Sequence, residues 1–129
     1  MNILIVEPDK LLSQTYESAL ESAGHVVRTS RTAQEAIYAC DMAAPDLVIL
    51  ELQLVSHSGI EFLYEFRSYT EWQDIPVIIH SQVPPTEFLA SQDLLKTELG
   101  VSEYLYKPQT TLVKLLHIVH KTVSNTAQV

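Results

Sequence analysis

The sequence predicts an α/β domain built on a five-stranded, doubly wound parallel sheet with strand order 2-1-3-4-5. Five short apolar runs alternate with segments of helical periodicity. The runs are continuously apolar, as strands covered on both faces require. Five such units fill residues 1–122, the expected domain, and leave a polar C-terminal tail over 123–129. Strict β-α alternation of this kind argues a parallel sheet with helices on both sides.

Ile3 to Val6 reads as the first strand. Asp9 can cap a helix that carries Leu11, Leu12, Tyr16, Ala19, Leu20 and Ala23 at helical spacing, and Gly24 ends it. Val26 to Thr29 is a short second strand. Thr32-Ala33-Gln34-Glu35 is a capping box opening a helix through Ala36, Ile37 and Cys40. Pro45 closes that unit, and Leu47 to Leu50 is the third strand. Ser58-Gly59-Ile60-Glu61 is a second capping box, ahead of Phe62, Leu63 and Phe66. Pro76 to Ile79 is the fourth strand. Pro84-Pro85-Thr86 should start a helix near Glu87 with Phe88, Leu89, Leu94, Leu95 and Leu99 on it, stopped at Gly100. Glu103 to Tyr106 is the fifth strand. The last helix carries Leu112, Leu115, Leu116 and Val119, with His120 and Lys121 in its final turn, and the chain frays from Ser124. The whole pattern is that of a flavodoxin-like (βα)5 fold, in which ligands and chemistry sit at the carboxyl ends of the strands.

Composition narrows the function. The net charge is −8, from 16 acids against 8 Lys and Arg, so direct nucleic-acid binding is disfavoured. Apolar runs of four or five residues are far short of a membrane span, so no membrane insertion is expected. The start, Met1-Asn2-Ile3, lacks the basic flank and cleavage site of a signal peptide. The single Cys40 forms no internal disulfide, which suits a reducing cytoplasm.

Three polar strand ends should converge: Glu7 after the first strand, Glu51 after the third and Lys107 after the fifth. The segments Val6-Glu7-Pro8-Asp9, Pro45 to Glu51, Ser58-Gly59-Ile60-Glu61, Ile75 to Ser81 and Gly100 to Pro108, which ends in Tyr-x-x-Lys-Pro, occur in order. In this the chain resembles the receiver domain of bacterial two-component response regulators over almost its whole length. The resemblance implies phosphoryl transfer from a histidine kinase, as in a phosphorelay, to an aspartate at the end of strand three. It implies magnesium held by two adjacent acids after strand one. It implies a hydroxyl residue and a lysine that read the phosphoryl group, and an aromatic that turns inward on activation. By position, Glu7 matches the first acid and Pro8 the second, with Asp9 one residue further on. Glu51 occupies the phosphoacceptor position, and Gln53 the backbone carbonyl of the metal shell. Ser81 matches the hydroxyl residue, Tyr104 the switch aromatic and Lys107 the lysine.

Two departures act together. Pro8 removes a carboxylate from a magnesium site that wants near-octahedral oxygen ligands. Glu51 places its carboxylate about 1.5 Å further out than aspartate would. Misplacement of about 1 Å can cost about a hundredfold in rate. The expectation is a degenerate pseudo-receiver without enzymatic activity. It is a protein-interaction module in which Glu51 pairs with Lys107, Ser81 hydrogen-bonds the carboxylate, and no cofactor is needed. Its expected partner is a histidine kinase or output protein. That partner should dock on the face made by the fourth helix, fifth strand and last helix, where Tyr104 and Tyr106 lie; a homodimer is conceivable. The alternative is residual phosphoacceptor chemistry with magnesium on Glu7, Glu51, Asp9 and the Gln53 carbonyl, or transfer to Ser56, Ser58 or Asp9. Flavin or cobalamin binding fits poorly, since Glu7-Pro8-Asp9 is acidic and glycine-free and His57-Ser58-Gly59 follows the wrong strand. His117 and His120 read as surface residues, His25 and His57 as loop residues, His80 as structural, and Cys40 as a small buried residue. Glu7 reads equally well as a structural cap.

Overall fold

The computed structural model describes residues 1–127. Its sheet has five parallel strands in the order β2-β1-β3-β4-β5: β1 Asn2–Val6, β2 Val26–Ser30, β3 Leu47–Leu50, β4 Val77–Ser81 and β5 Val101–Tyr106. The expected order is therefore found. Four α-helices flank it: α1 Lys10–Ser22, α2 Ala33–Met42, α3 Gly59–Ser68 and α4 Leu112–Ala127. No helix among the described residues is long and apolar enough to cross a membrane.

The continuous apolar strands are explained by their two faces. Successive side chains on a strand point to opposite sides. Leu4, Val6, Val48, Leu50, Val77 and Ile79 pack with Ala36, Ile37, Phe62 and Phe66 of α2 and α3. Ile3, Ile5, Leu47, Ile49 and Ile78 pack with Tyr16 and Leu20 of α1 and with Leu115 and Val119 of α4. Every position of β3 and β4, and Ile3 to Val6 of β1, is thus buried on one side or the other, while the edge strands β2 and β5 are partly exposed.

The helix starts follow the sequence signals. Asp9 Oδ1 accepts from the Leu12 N–H at 3.0 Å, Thr32 Oγ1 from the Glu35 N–H at 3.0 Å, and Ser58 Oγ from the Glu61 N–H at 3.1 Å. Each satisfies an amide that the helix leaves unpaired. Gly24, past the end of α1, has φ +96°, a conformation that glycine adopts without steric cost.

Two expectations are corrected. The regular helix expected near Glu87 does not form. Residues Pro85–Ser91 make 3₁₀ turns broken at Phe88, whose φ and ψ are −115° and 20°, and Leu94–Glu98 form a single π turn. Pro84 and Pro85 suit a helix start; the regular helix is interrupted further on, at Phe88, where the backbone leaves the helical region. Leu95 and Leu99 are buried, while Leu89 is exposed. At the other end, α4 runs to Ala127, so His120 and Lys121 lie inside the helix and the chain does not fray at Ser124. Gln128 and Val129 of the expected tail lie outside the described residues.

Candidate functional site

Glu7, Glu51, Ser81 and Lys107 converge at the carboxyl edge of the sheet because each ends, or directly follows, one of the adjacent strands β1, β3, β4 and β5. The backbone fixes two of them. The Glu7 N–H donates to Ser30 O at 2.9 Å, and the Glu51 N–H to Val6 O at 2.9 Å, so the ladder continues one residue past each strand. Gly59 closes the loop after β3. A Cβ there would lie 2.8 Å from the Glu51 carbonyl oxygen and 2.8 Å from Leu52 Cα, so only glycine lets α3 start this close to the site.

Glu51 is almost wholly buried, at 3% exposure, and its carboxylate is saturated with donors. Oε1 accepts from Lys107 Nζ at 2.7 Å and from the Gln82 N–H at 3.1 Å. Oε2 accepts from the Gln53 N–H at 3.1 Å and from the Ser81 hydroxyl. An ionised carboxylate offers about four lone-pair sites, and four donors occupy them. Ser81 in turn accepts from the Val83 N–H at 3.0 Å, which orients its hydroxyl toward Glu51. Burial pushes the Glu51 carboxyl up, but the hydrogen bonds from Lys107, Ser81 and Gln53 outweigh it, and its pKa lies below the ordinary value. Burial pushes the Lys107 ammonium down. Its hydrogen bonds to Glu51 and Glu7 outweigh that, and its pKa is raised. Both directions keep the pair ionised.

Glu7 answers the open question about its role. Its Oε1 takes Lys107 Nζ at 2.5 Å, and its Oε2 takes the Asp9 N–H at 3.1 Å. It is both a partner of the buried lysine and a cap of the β1–α1 loop. Asp9 is not brought into the pocket; its carboxylate is spent on the cap of α1. Gln53 contributes its amide hydrogen to Glu51. The Glu7–Lys107 pair and the Gln82 and Gln53 amides were not read from the sequence. They depend on loop conformations that residue types do not specify.

The magnesium implied by the resemblance does not fit this donor set. Lys107 Nζ takes the Oε1 atom of both Glu7 and Glu51, the site that two carboxylates would otherwise offer to a cation. Pro8 brings no carboxylate. Among the described residues no group of three or more His, Cys, Asp or Glu is placed to hold a metal ion.

Tyr104 is half-buried against the core that α2 and α3 cover. Its hydroxyl donates to Val83 O at 2.6 Å, and its ring lies 6.0 Å from that of Phe88. Burial, with Glu51 and Glu87 adding to it, pushes the phenol up to about 12, so it stays a donor. One chain of bonds thus runs from Lys107 through Glu51 and Ser81 to Val83 and Tyr104. His80 is buried with its ring edge-on to Tyr16, centroids 5.0 Å apart.

Residues 3–120 match the family model described as the response regulator receiver domain. Over 107 residues the chain is 33% identical to the KDP operon transcriptional regulatory protein KdpE of Escherichia coli, covering 83% of this chain and 44% of that protein. The chain spans less than half the length of the curated relatives it matches first. The non-phosphorylated HemR receiver domain of Leptospira biflexa superposes with a TM-score of 0.80 at 28% identity, covering 95% of this chain and 94% of that one. The chemotaxis protein CheY4 of Vibrio cholerae shares the fold, with a TM-score of 0.81 at 21% identity over 93% of this chain and 96% of that one.

Proposed function

Since the chain belongs to the response regulator receiver family of two-component signalling, we propose that it is a phosphorylation-independent receiver, in which the Glu51–Lys107 pair replaces the phospho-aspartate switch. The observation that carries this reading is the saturation of Glu51 by Lys107, Ser81 and the Gln53 and Gln82 amides. A phosphoryl group arriving at Glu51 must first displace buried, charge-assisted hydrogen bonds. The acid that would share a metal with it is replaced by Pro8. The inward Tyr104, tied to Val83, supports a domain held in one active-like conformation.

On this reading the chain is an interaction module of the cytoplasm and catalyses no reaction. A histidine kinase or output protein docks on the face made by the Pro85–Glu98 segment, β5 and α4. Aromatic anchors such as Tyr104 and Tyr106 are common hot spots of such faces.

The test is an amide-resolved NMR titration with magnesium and then beryllofluoride, a mimic of an acceptor phosphate. No shift at Glu7, Glu51, Ser81 or Lys107 is expected. Shifts centred on those residues and spreading to Tyr104 would overturn the proposal in favour of residual, divalent-metal-dependent phosphoacceptor activity.

A further inference from the structure

The chain between β4 and β5 is fixed at its two ends. At the near end the Val83 N–H donates to Ser81 Oγ at 3.0 Å, and the Val83 carbonyl accepts from the Tyr104 hydroxyl at 2.6 Å. At the far end Arg67, in the last turn of α3, reaches across to the entry of β5. Its Nε donates to Leu99 O at 2.9 Å and its Nη2 to Gly100 O at 3.1 Å. Its Nη1 donates to Trp72 O at 2.7 Å and to Gln73 O at 3.2 Å, where the Thr70–Trp72 3₁₀ turn ends. Four of the five guanidinium donors thus hold backbone carbonyls. Among the described residues Arg67 enters no salt bridge. One side chain therefore joins the end of α3, the turn after it and the last residues before β5.

Between these anchors the packing is thin. Pro85–Ser91 has no buried residue, and Leu89 is 66% exposed. Of these seven residues only Phe88 packs against the core, and there the backbone leaves the helical region. The Phe88 ring is partly buried and lies 6.0 Å from that of Tyr104. Phe88 is also the one residue common to two grooves. The first, of about 580 Å³, runs beside Leu54, Ile60 and Val83; the second, of about 390 Å³, beside Leu95, Val101 and Tyr104. A stretch with so few buried apolar contacts belongs to the low-stability end of a fold.

We propose that Pro85–Ser91 is a strap that opens and closes beside Tyr104, with Phe88 as its latch and Arg67 as its far anchor. Opening withdraws one partly buried ring and leaves the layer of Leu95 and Leu99 in place. Arg67 keeps Leu94–Glu98 and the entry of β5 still while the strap moves, because its bonds lie beyond Leu95 and do not involve the strap. With the latch withdrawn, the two grooves that share Phe88 become one. The strap lies on the face assigned above to partner docking. That a partner meets its open form rests on that assignment, whereas the motion requires neither a partner nor the phosphate-free switch.

Backbone ¹⁵N relaxation on the full chain, without magnesium or beryllofluoride, tests this. In the wild type, relaxation dispersion should report microsecond-to-millisecond exchange at residues 86–91 and none at 94–100. Phe88→Ala should drop the order parameters of 86–91 below about 0.6, the flexible range, and leave those of 94–100 near about 0.85. Arg67→Met should lower the order of 94–100. Arg67→Lys, which keeps the charge but not the fork of donors, should do so in part, and it carries the test if the Met variant does not fold. A wild-type chain with no exchange at 86–91 would overturn the proposal. So would a loss of order at 94–100 equal to that at 86–91 in Phe88→Ala, which marks one cooperative unit, or unchanged order at 94–100 in Arg67→Lys and Arg67→Met. None of these readouts involves Glu51 or Lys107, so a failed strap leaves the phosphate-free switch to be judged by its own titration.

Discussion

Lys107 sets one ammonium between two carboxylates that are each 3% exposed. Such a group need not add net stability, because desolvating three charges offsets much of their attraction. Removing the cation alone is another matter, since it leaves two buried like charges facing each other. Lys107→Ala should therefore cost about 3–5 kcal/mol, read from the midpoint and slope of urea unfolding. Lys107→Met combined with Glu7→Gln and Glu51→Gln should recover most of that loss, because no charge is then left buried. A loss below about 1 kcal/mol in the single variant, the level of an exposed pair, would mean that the ammonium is not holding the pocket. Residue types at strand ends made Glu51, Ser81 and Lys107 legible in the sequence. What they could not reveal is that Lys107 reaches Glu7 as well, or that the Gln53 and Gln82 amides complete the Glu51 carboxylate. Those contacts are set by the turns after β3 and β4, and many residues could make the same turns.

The segment between β4 and β5 shows how an element can be foreseen in kind and missed in form. Leu94, Leu95 and Leu99 read as the stripe of a regular helix. The same spacing serves a π turn, in which the Leu99 N–H reaches the Leu94 carbonyl, five residues back, at 3.0 Å. The break at Phe88 leaves a segment with few helical bonds of its own. It is held instead by Leu95 and Leu99 in the core and by Tyr104, whose hydroxyl ties Val83 down. Tyr104→Phe removes that one bond and should cost about 1 kcal/mol globally. Its larger effect is local: amide hydrogen exchange across residues 82–100 should quicken relative to β1 and β3. Unchanged exchange there would show that the buried leucines alone order the segment, and that the chain of bonds from Lys107 ends at Ser81. The helix starts were legible for the opposite reason. Asp9, Thr32 and Ser58 act on amides three residues away, so the signal and its effect lie within one turn of sequence.

Across the whole molecule the sheet order was legible because the central strands, buried on both faces, have a distinctive composition, and five strands alternating with helices leave few ways to wind. The cost of burying both faces is that any polar residue on a central strand is desolvated, and His80 on β4 is such a residue. Burial, with the Lys107 charge adding to it and the Glu51 charge opposing it, pushes this imidazole from its ordinary 6.5 down to about 4. Below pH 6.5 the unfolded chain takes up a proton that the folded chain refuses, so stability falls as pH falls between those two values. The shift corresponds to about 3 kcal/mol over that window, at about 1.4 kcal/mol per unit. Glu51 has the same sense at lower pH. Its folded pKa lies below 4.5, so its contribution is present above that value and lost as pH falls through the folded one. Lys107 has the opposite sense. Its folded pKa lies above 10.5, so its contribution is complete below 10.5 and lost as pH rises through the folded value. From these three groups stability should be flat from about pH 6.5 to 10.5, with the first fall on the acid side set by His80 rather than by the carboxylates. Urea unfolding at pH 7.0, 5.5 and 4.5 measures that fall, and His80→Leu should remove most of it while filling the space beside Tyr16. If the slope between pH 7.0 and 4.5 is the same in wild type and variant, His80 is not buried in its neutral form, and the acid sensitivity belongs to the surface acids of a chain with net charge −8.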